Sequence, residues 1–142
     1  MARVFIPKPG EDWVCDTIID EFSAATEHEI VHDPRDADVI FLYAKWIANR
    51  FPIGLLTSRP VITTVHHIVP SKANPSELQW FAGFTDIFHV PNSFTERTLR
   101  GIVGDKRIEV IPYWVNDKRW YVDGPVVDDK MVLASFQRDT EG

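Results

Sequence analysis

Cysteine is nearly missing from this chain: Cys15 stands alone among 142 residues. One thiol cannot build an internal disulfide framework, and the shortage suits a reducing, cytoplasmic setting. Cys15 itself lies among apolar residues of an expected helix, where a free cysteine packs as a small hydrophobe. Long apolar runs are missing too. In the opening MARVFIPKPGEDW the apolar stretch stops at Pro7. That is too early for a signal peptide or a membrane span, so neither is expected there. Surplus positive charge is absent: 15 Lys and Arg face 21 Asp and Glu, a formal net charge of −6. With no basic arm, no aromatic-basic ladder and no zinc knuckle, a nucleic-acid partner is not expected. Glycine is sparse, seven in all. It never forms G-x-G-x-x-G or a Walker loop, and a nucleotide-sugar epimerase or dehydrogenase fails on that missing fingerprint.

What is present is globular. Hydrophobic residues make up 44% and charged residues 25%, enough for one domain to bury a core without staples. Short β-branched or apolar runs predict strands at 3–6, 28–33, 37–43, 60–67, 86–92, 107–113 and 131–135. The near-continuous run ADVIFLY at 37–43 suits a strand buried on both faces. Helical spacing of Trp13, Ile18, Ile19 and Phe22 predicts a helix over 12–25 with Asp12 as its cap. A helix over 45–58 is expected to break at Pro52, and another is expected near 75–83. SFTE opens a helix to about 103, with Ser93 as cap and Glu96 closing a capping box. Asp123-Gly124-Pro125 marks a turn. Strands alternating with helices predict an α/β, Rossmann-like domain, its sheet mostly parallel and helices on both faces.

Ligands of such sheets bind at the carboxyl ends of the strands, so the residues just after each strand are the candidates. After the first strand, Gly10 sits in a loop leading to a helix N-terminus, either a tight turn or an anion or hydroxyl site. His66 and His67 follow PVITTV; a histidine there hydrogen-bonds a hydroxyl or phosphate near neutral pH. If the strand continues that far, alternation sends the two to opposite faces. Ser93 offers a hydroxyl and helix amides, although capping alone explains it. His89 lies within its strand and reads as a packed residue. A metal cluster of His66, His67 and His89 has no cysteine or acidic partner in register, and no metal is assigned. Trp46, Trp80, Trp114 and Trp120 carry faces that stack on sugar rings, yet packing explains them as well. Arg138 carries a planar fork suited to phosphate.

Taken in order, ADVIFLY, VITTVHH, DIFHVPNSFTERTLRG, KRIEVIPYWVNDKRW and VLASF resemble the N-terminal half of a GT-B glycosyltransferase of the family-4 type. The similarity runs over nearly the whole chain. Each motif is weak alone; their order carries the likeness. Tyr113-Trp114 stands where that family usually has Asn-Gly, Asn116 where it has Asp, and ASFQRDTEG lacks the usual Gly-Arg pair. The resemblance implies an acceptor-side domain with crossover segment over 1–130. It makes 131–142 the start of a donor-binding domain missing from this sequence. The implied reaction moves a hexosyl group from a nucleoside-diphosphate sugar to a hydroxyl acceptor with retention, needing no bound metal or other cofactor. His66 would be the catalytic, substrate-orienting group. Gly10, Ser93, His67 and Arg138 would contact substrate. The acidic pair that grips the donor belongs to the second domain, so this half is expected to be inactive alone and open to self-association.

The basic and apolar sets Lys45, Trp46, Arg50, Phe51, Arg59 and Arg97, Arg100, Lys106, Arg107 leave peripheral membrane contact open, although neither is a dense polybasic run. The competing reading is a stand-alone flavodoxin-like or receiver-like binding module. A receiver wants acids directly after its first strand and an aspartate ending its third. Glu11 and Asp12 come too late, and FLYAKW has no aspartate.

Overall fold

The computed structural model describes residues 1–113. The expectations for 131–135, Asp123-Gly124-Pro125, Trp114, Asn116, Trp120 and Arg138 lie outside the described residues. Among the described residues, six strands form one sheet: β1 (Arg3–Phe5), β2 (Glu29–Ile30), β3 (Val39–Leu42), β4 (Val61–Thr64), β5 (Ile87–Val90) and β6 (Arg107–Val110). Their spatial order is β2-β1-β3-β4-β5-β6, and every pairing is parallel. Four α-helices accompany them among the same residues: α1 (Val14–Ala25), α2 (Ile53–Leu56), α3 (Pro75–Ala82) and α4 (Ser93–Val103). The fold is thus the α/β, Rossmann-like arrangement that the alternating pattern predicts.

Two buried clusters show which face each element covers. Ile40 and Leu42 of β3 join Leu56 of α2, Leu78 and Phe81 of α3, and Leu99 of α4. Phe41 and Tyr43 instead join Cys15 and Ile19 of α1, with Ile6 and Phe22. Successive residues of a strand point to opposite faces, so α1 packs on one face and α2, α3 and α4 on the other. ADVIFLY lacks polar alternation because both of its faces are covered.

Strand ends come earlier than the apolar runs suggest. The run 28–33 pairs only over Glu29–Ile30. β4 stops at Thr64 and β6 at Val110, before Pro112. The stretch 45–58 is not one helix: a 3-10 helix spans Lys45–Arg50, and α2 restarts at Ile53 after Pro52. Pro52 cannot donate a backbone hydrogen bond and fits the position just outside a helix start.

Two caps differ from the sequence reading. Asn92, not Ser93, caps α4: its backbone is extended and its side chain accepts from the Thr95 amide at 2.9 Å. Ser93 is the first helical residue. Glu96 accepts from Arg100 at 2.9 Å, an i,i+4 pair, and closes no capping box. At α1, Asp12 lies outside the helix with φ of 54°, and Trp13 occupies the cap position with no side-chain capping hydrogen bond to the helix. Asp16, in the first turn of the helix, instead accepts the amides of the loop ahead of it, Gly10, Glu11 and Asp12.

Candidate functional site

The order β2-β1-β3 reverses the direction of chain progression between β1 and β3, so the crevice beyond their carboxyl ends is the switch point where open α/β sheets bind ligands. Four segments meet around it: the loop 7–13 after β1, Tyr43–Trp46 after β3, Val65–Val69 after β4, and Ile111–Tyr113 after β6.

The first loop is held by an internal anion. Asp16 accepts the amides of Gly10, Glu11 and Asp12 at 3.1, 2.8 and 2.8 Å. Gly10 has φ of 75°, in the left-handed region that glycine enters freely. Burial pushes the Asp16 carboxyl up, but the amides of Gly10, Glu11, Asp12 and Trp13 together outweigh it and hold it below the usual carboxylate value. The loop has the form of an anion nest, and its amides are already spent on Asp16. It is anchored at both ends of its rim: Trp46 Nε1 donates to Glu11 Oε1 at 3.0 Å, and Arg50 donates to the Pro9 carbonyl at 3.1 Å.

His66 stands where these segments converge. Its Nε2 lies 2.8 Å from the Tyr43 carbonyl, which can only accept. The proton is therefore on Nε2, and Nδ1 is left as an acceptor, 2.8 Å from the Tyr113 hydroxyl. The ring lies edge-on to Tyr43 at 4.8 Å between centroids and beside Trp46 at 6.1 Å. Burial depresses its pKa, opposed by the bond to Tyr43 and helped by His89, His67 and Lys45, so the neutral ring is favoured. Cys15 Sγ lies 4.0 Å from Nε2. Burial, with Glu11 and Asp16 nearby, pushes that thiol's pKa up, which disfavours the thiolate.

His89 repeats the pattern one strand over. Nε2 bonds the Ile111 carbonyl at 2.8 Å and Nδ1 meets Thr64 Oγ1 at 3.0 Å. It is buried, as its position inside β5 implies, and burial again lowers its pKa. Both rings must be neutral to keep their acceptor nitrogens. The unfolded chain takes up these protons first, so their contribution to stability is complete above about pH 6.5 and declines as pH falls below that towards the folded values. Thermal melts from pH 8 to pH 5 should show Tm falling below about pH 6.5, and His89→Gln should flatten that fall.

His67 is exposed, and because β4 stops at Thr64 strand alternation does not decide its direction. It joins His66, Trp46, Lys72, Asn74 and Leu78 around a cavity of about 310 Å³ between the β4 exit and α3. Lys45 closes one side, reaching Glu77 at 3.0 Å and lying over the Phe81 ring. The site residues read from sequence therefore divide. His66 and His67 share this cavity. Gly10 belongs to the Asp16-filled loop across the crevice, Ser93 opens α4, and Arg138 lies outside the described residues. Tyr113, Trp46, Glu11 and Asp16 complete the site. Tyr113 lies 47 positions from His66, and Glu11 lies 35 from Trp46, so no local pattern announces either pair.

A second hollow, about 320 Å³, lies at the amino ends of β4 to β6. Its cations cap backbone instead: Arg59 donates to the Arg35 carbonyl and Lys106 to that of Thr85. Lys45, Arg50, Arg100 and Arg107 of the two basic sets are likewise committed, the last to Glu109. Among the described residues no helix is long and apolar enough to cross a membrane, and no group of three or more His, Cys, Asp or Glu is placed to hold a metal ion. No family model matches the chain, and neither does any curated protein or solved structure.

Proposed function

We propose that this chain is the acceptor-side domain of a retaining GT-B-type glycosyltransferase, and that it binds a sugar or other hydroxyl acceptor beside His66. The observation that carries the reading is the state of His66 at the switch point: a neutral ring whose Nε2 proton is held by Tyr43 and whose Nδ1 accepts a hydroxyl proton. A carbohydrate hydroxyl is a donor of that kind. Trp46, 40% exposed at the rim, supplies an aromatic face of the sort that packs on sugar rings. The motif order read from the sequence supports the same assignment.

In this reading His66 orients the substrate rather than deprotonating it, since a ring with a depressed pKa is a weak base. Gripping the nucleoside-diphosphate sugar falls to a second domain, and the chain alone turns nothing over. Donor phosphates have no free nest in the first loop while Asp16 fills it. A stand-alone flavodoxin-like module is the second reading, favoured by the strand order, which contains the flavodoxin arrangement 2-1-3-4-5 with one strand added. In that arrangement a cofactor phosphate occupies the loop after β1, where this chain places a carboxylate.

Saturation-transfer NMR with methyl hexosides and with flavin mononucleotide separates the two. The expected result is weak hexoside binding that drops about fivefold or more in His66→Ala, the order of one net hydrogen bond, with no flavin signal. Flavin binding without hexoside binding would replace the glycosyltransferase reading with the module.

A further inference from the structure

We propose that Tyr113 is a built-in competitor for the His66 site: its hydroxyl takes the place at Nδ1 that a ligand hydroxyl must occupy. The inference rests on the reading of His66 as a hydroxyl-binding group and adds how access to it is controlled. The Tyr113 oxygen is 2.8 Å from Nδ1 and 3.4 Å from the His66 carbonyl, so the ring nitrogen is the closer acceptor. Burial pushes the Tyr113 phenol up to about 12, which keeps it a donor. With Nε2 bound to Tyr43, Nδ1 is the single open lone pair of the ring, and Tyr113 holds it.

Tyr113 is delivered there by the backbone ahead of it. The Ile111 amide donates to the Val90 carbonyl at 3.0 Å, and the Ile111 carbonyl accepts from His89. Pro112 then restricts the one intervening residue. Tyr113 itself remains 42% exposed, so its ring covers His66 from the solvent side rather than as part of the core. The ring centroids are 5.7 Å apart. This contact is made by a residue at which the sequence departs from the Asn-Gly of the glycosyltransferase motif. A smaller residue there would leave Nδ1 uncovered.

The test is the rate at which diethyl pyrocarbonate modifies His66, read by peptide mass spectrometry against exposed His67 in the same chain. In the wild type His66 should react slowly. Tyr113→Ala should raise its relative rate about fivefold or more, the order of one hydrogen bond. Tyr113→Phe, which keeps the ring and loses only the hydroxyl, should raise it in the same direction and serves if the alanine variant unfolds. Methyl α-glucoside should then protect His66 more strongly in the variants than in the wild type. An unchanged His66 rate in both variants would overturn the competitor role and leave the hydroxyl-binding reading standing. Faster modification without protection by the glucoside would overturn both.

Discussion

Phe88→Ala should destabilise the domain by about 3–5 kcal/mol, the usual cost of emptying a large aromatic site in a core. Phe88 is fully buried in β5, within the cluster that holds Leu42 of β3, Leu78 and Phe81 of α3 and Leu99 of α4. Its neighbours in the sheet, Thr63 and Ile108, lie in paired strands on both sides. Backbone hydrogen bonds on both edges limit how far the site can collapse. The melting temperature should drop by roughly 10–20 °C for a domain of this size. Phe94→Ala is the control: Phe94 is 57% exposed on α4, and its loss should stay within about 0.5 kcal/mol. The functional consequence lies one residue on. His89 follows Phe88 in β5, and its grip on Ile111 sets where Tyr113 reaches His66. The loss of Phe88 should therefore loosen the site as well as the core. A Phe88→Ala variant that melts like the wild type would mean that the cluster on this face does not hold the sheet.

Asp16→Ala should cost about 2–4 kcal/mol, because three backbone donors lose one charged acceptor. Asp16 is buried, and the amides of Gly10, Glu11 and Asp12 have no other partner among the described residues. Asp16→Asn keeps an acceptor without its charge and should fall between. The pH dependence follows from the depressed carboxyl. Its stabilising effect is complete above the unfolded value near 3.8 and disappears as pH falls through the lower folded value. Urea unfolding at neutral pH and under acid measures this directly. The gap between wild type and Asp16→Ala should be full at pH 7 and should narrow below about pH 4. A gap that persisted unchanged into strong acid would show that Asp16 acts through packing and not through its charge.

The parts of the fold legible in the sequence were those set by burial. ADVIFLY announced a strand covered on both faces, and Ile40, Phe41, Leu42 and Tyr43 divide between the two clusters as that run implies. The break at Pro52 was legible because a missing amide has the same effect in any context. The caps were harder. Asn92 and Ser93 are adjacent and chemically equivalent as caps, and only the extended backbone at Asn92 decides between them. Asp12 looked like the cap of α1 because it precedes the apolar run. The structure has no side-chain cap there; Gly10 and Asp12 turn through the left-handed region, and the amides of Gly10, Glu11 and Asp12 close onto the Asp16 carboxylate instead. No periodicity encodes such a loop.

The site divides along the same line. His66 could be found from position alone, since residues just beyond a central parallel strand face the crevice. Its protonation state could not, because it depends on a carbonyl 23 positions away and a phenol 47 positions away. Trp46 was legible as an aromatic residue but not as one tied to Glu11. His89 reads from sequence as a packed strand residue. It is one, and through Ile111 it also positions the exit from β6.

As proposed, His66 Nδ1 is a hydroxyl-binding point for carbohydrate at the carboxyl end of the sheet. The most direct test is a long-range nitrogen–proton NMR spectrum of the histidine rings, recorded with and without methyl α-glucoside at neutral pH. The expected spectrum shows His66 neutral with its proton on Nε2, and glucoside shifts its Nδ1 resonance while the His89 signals stay in place. A His66 Nδ1 resonance that ignores the sugar in the wild type and in Tyr113→Phe alike would contradict the claim.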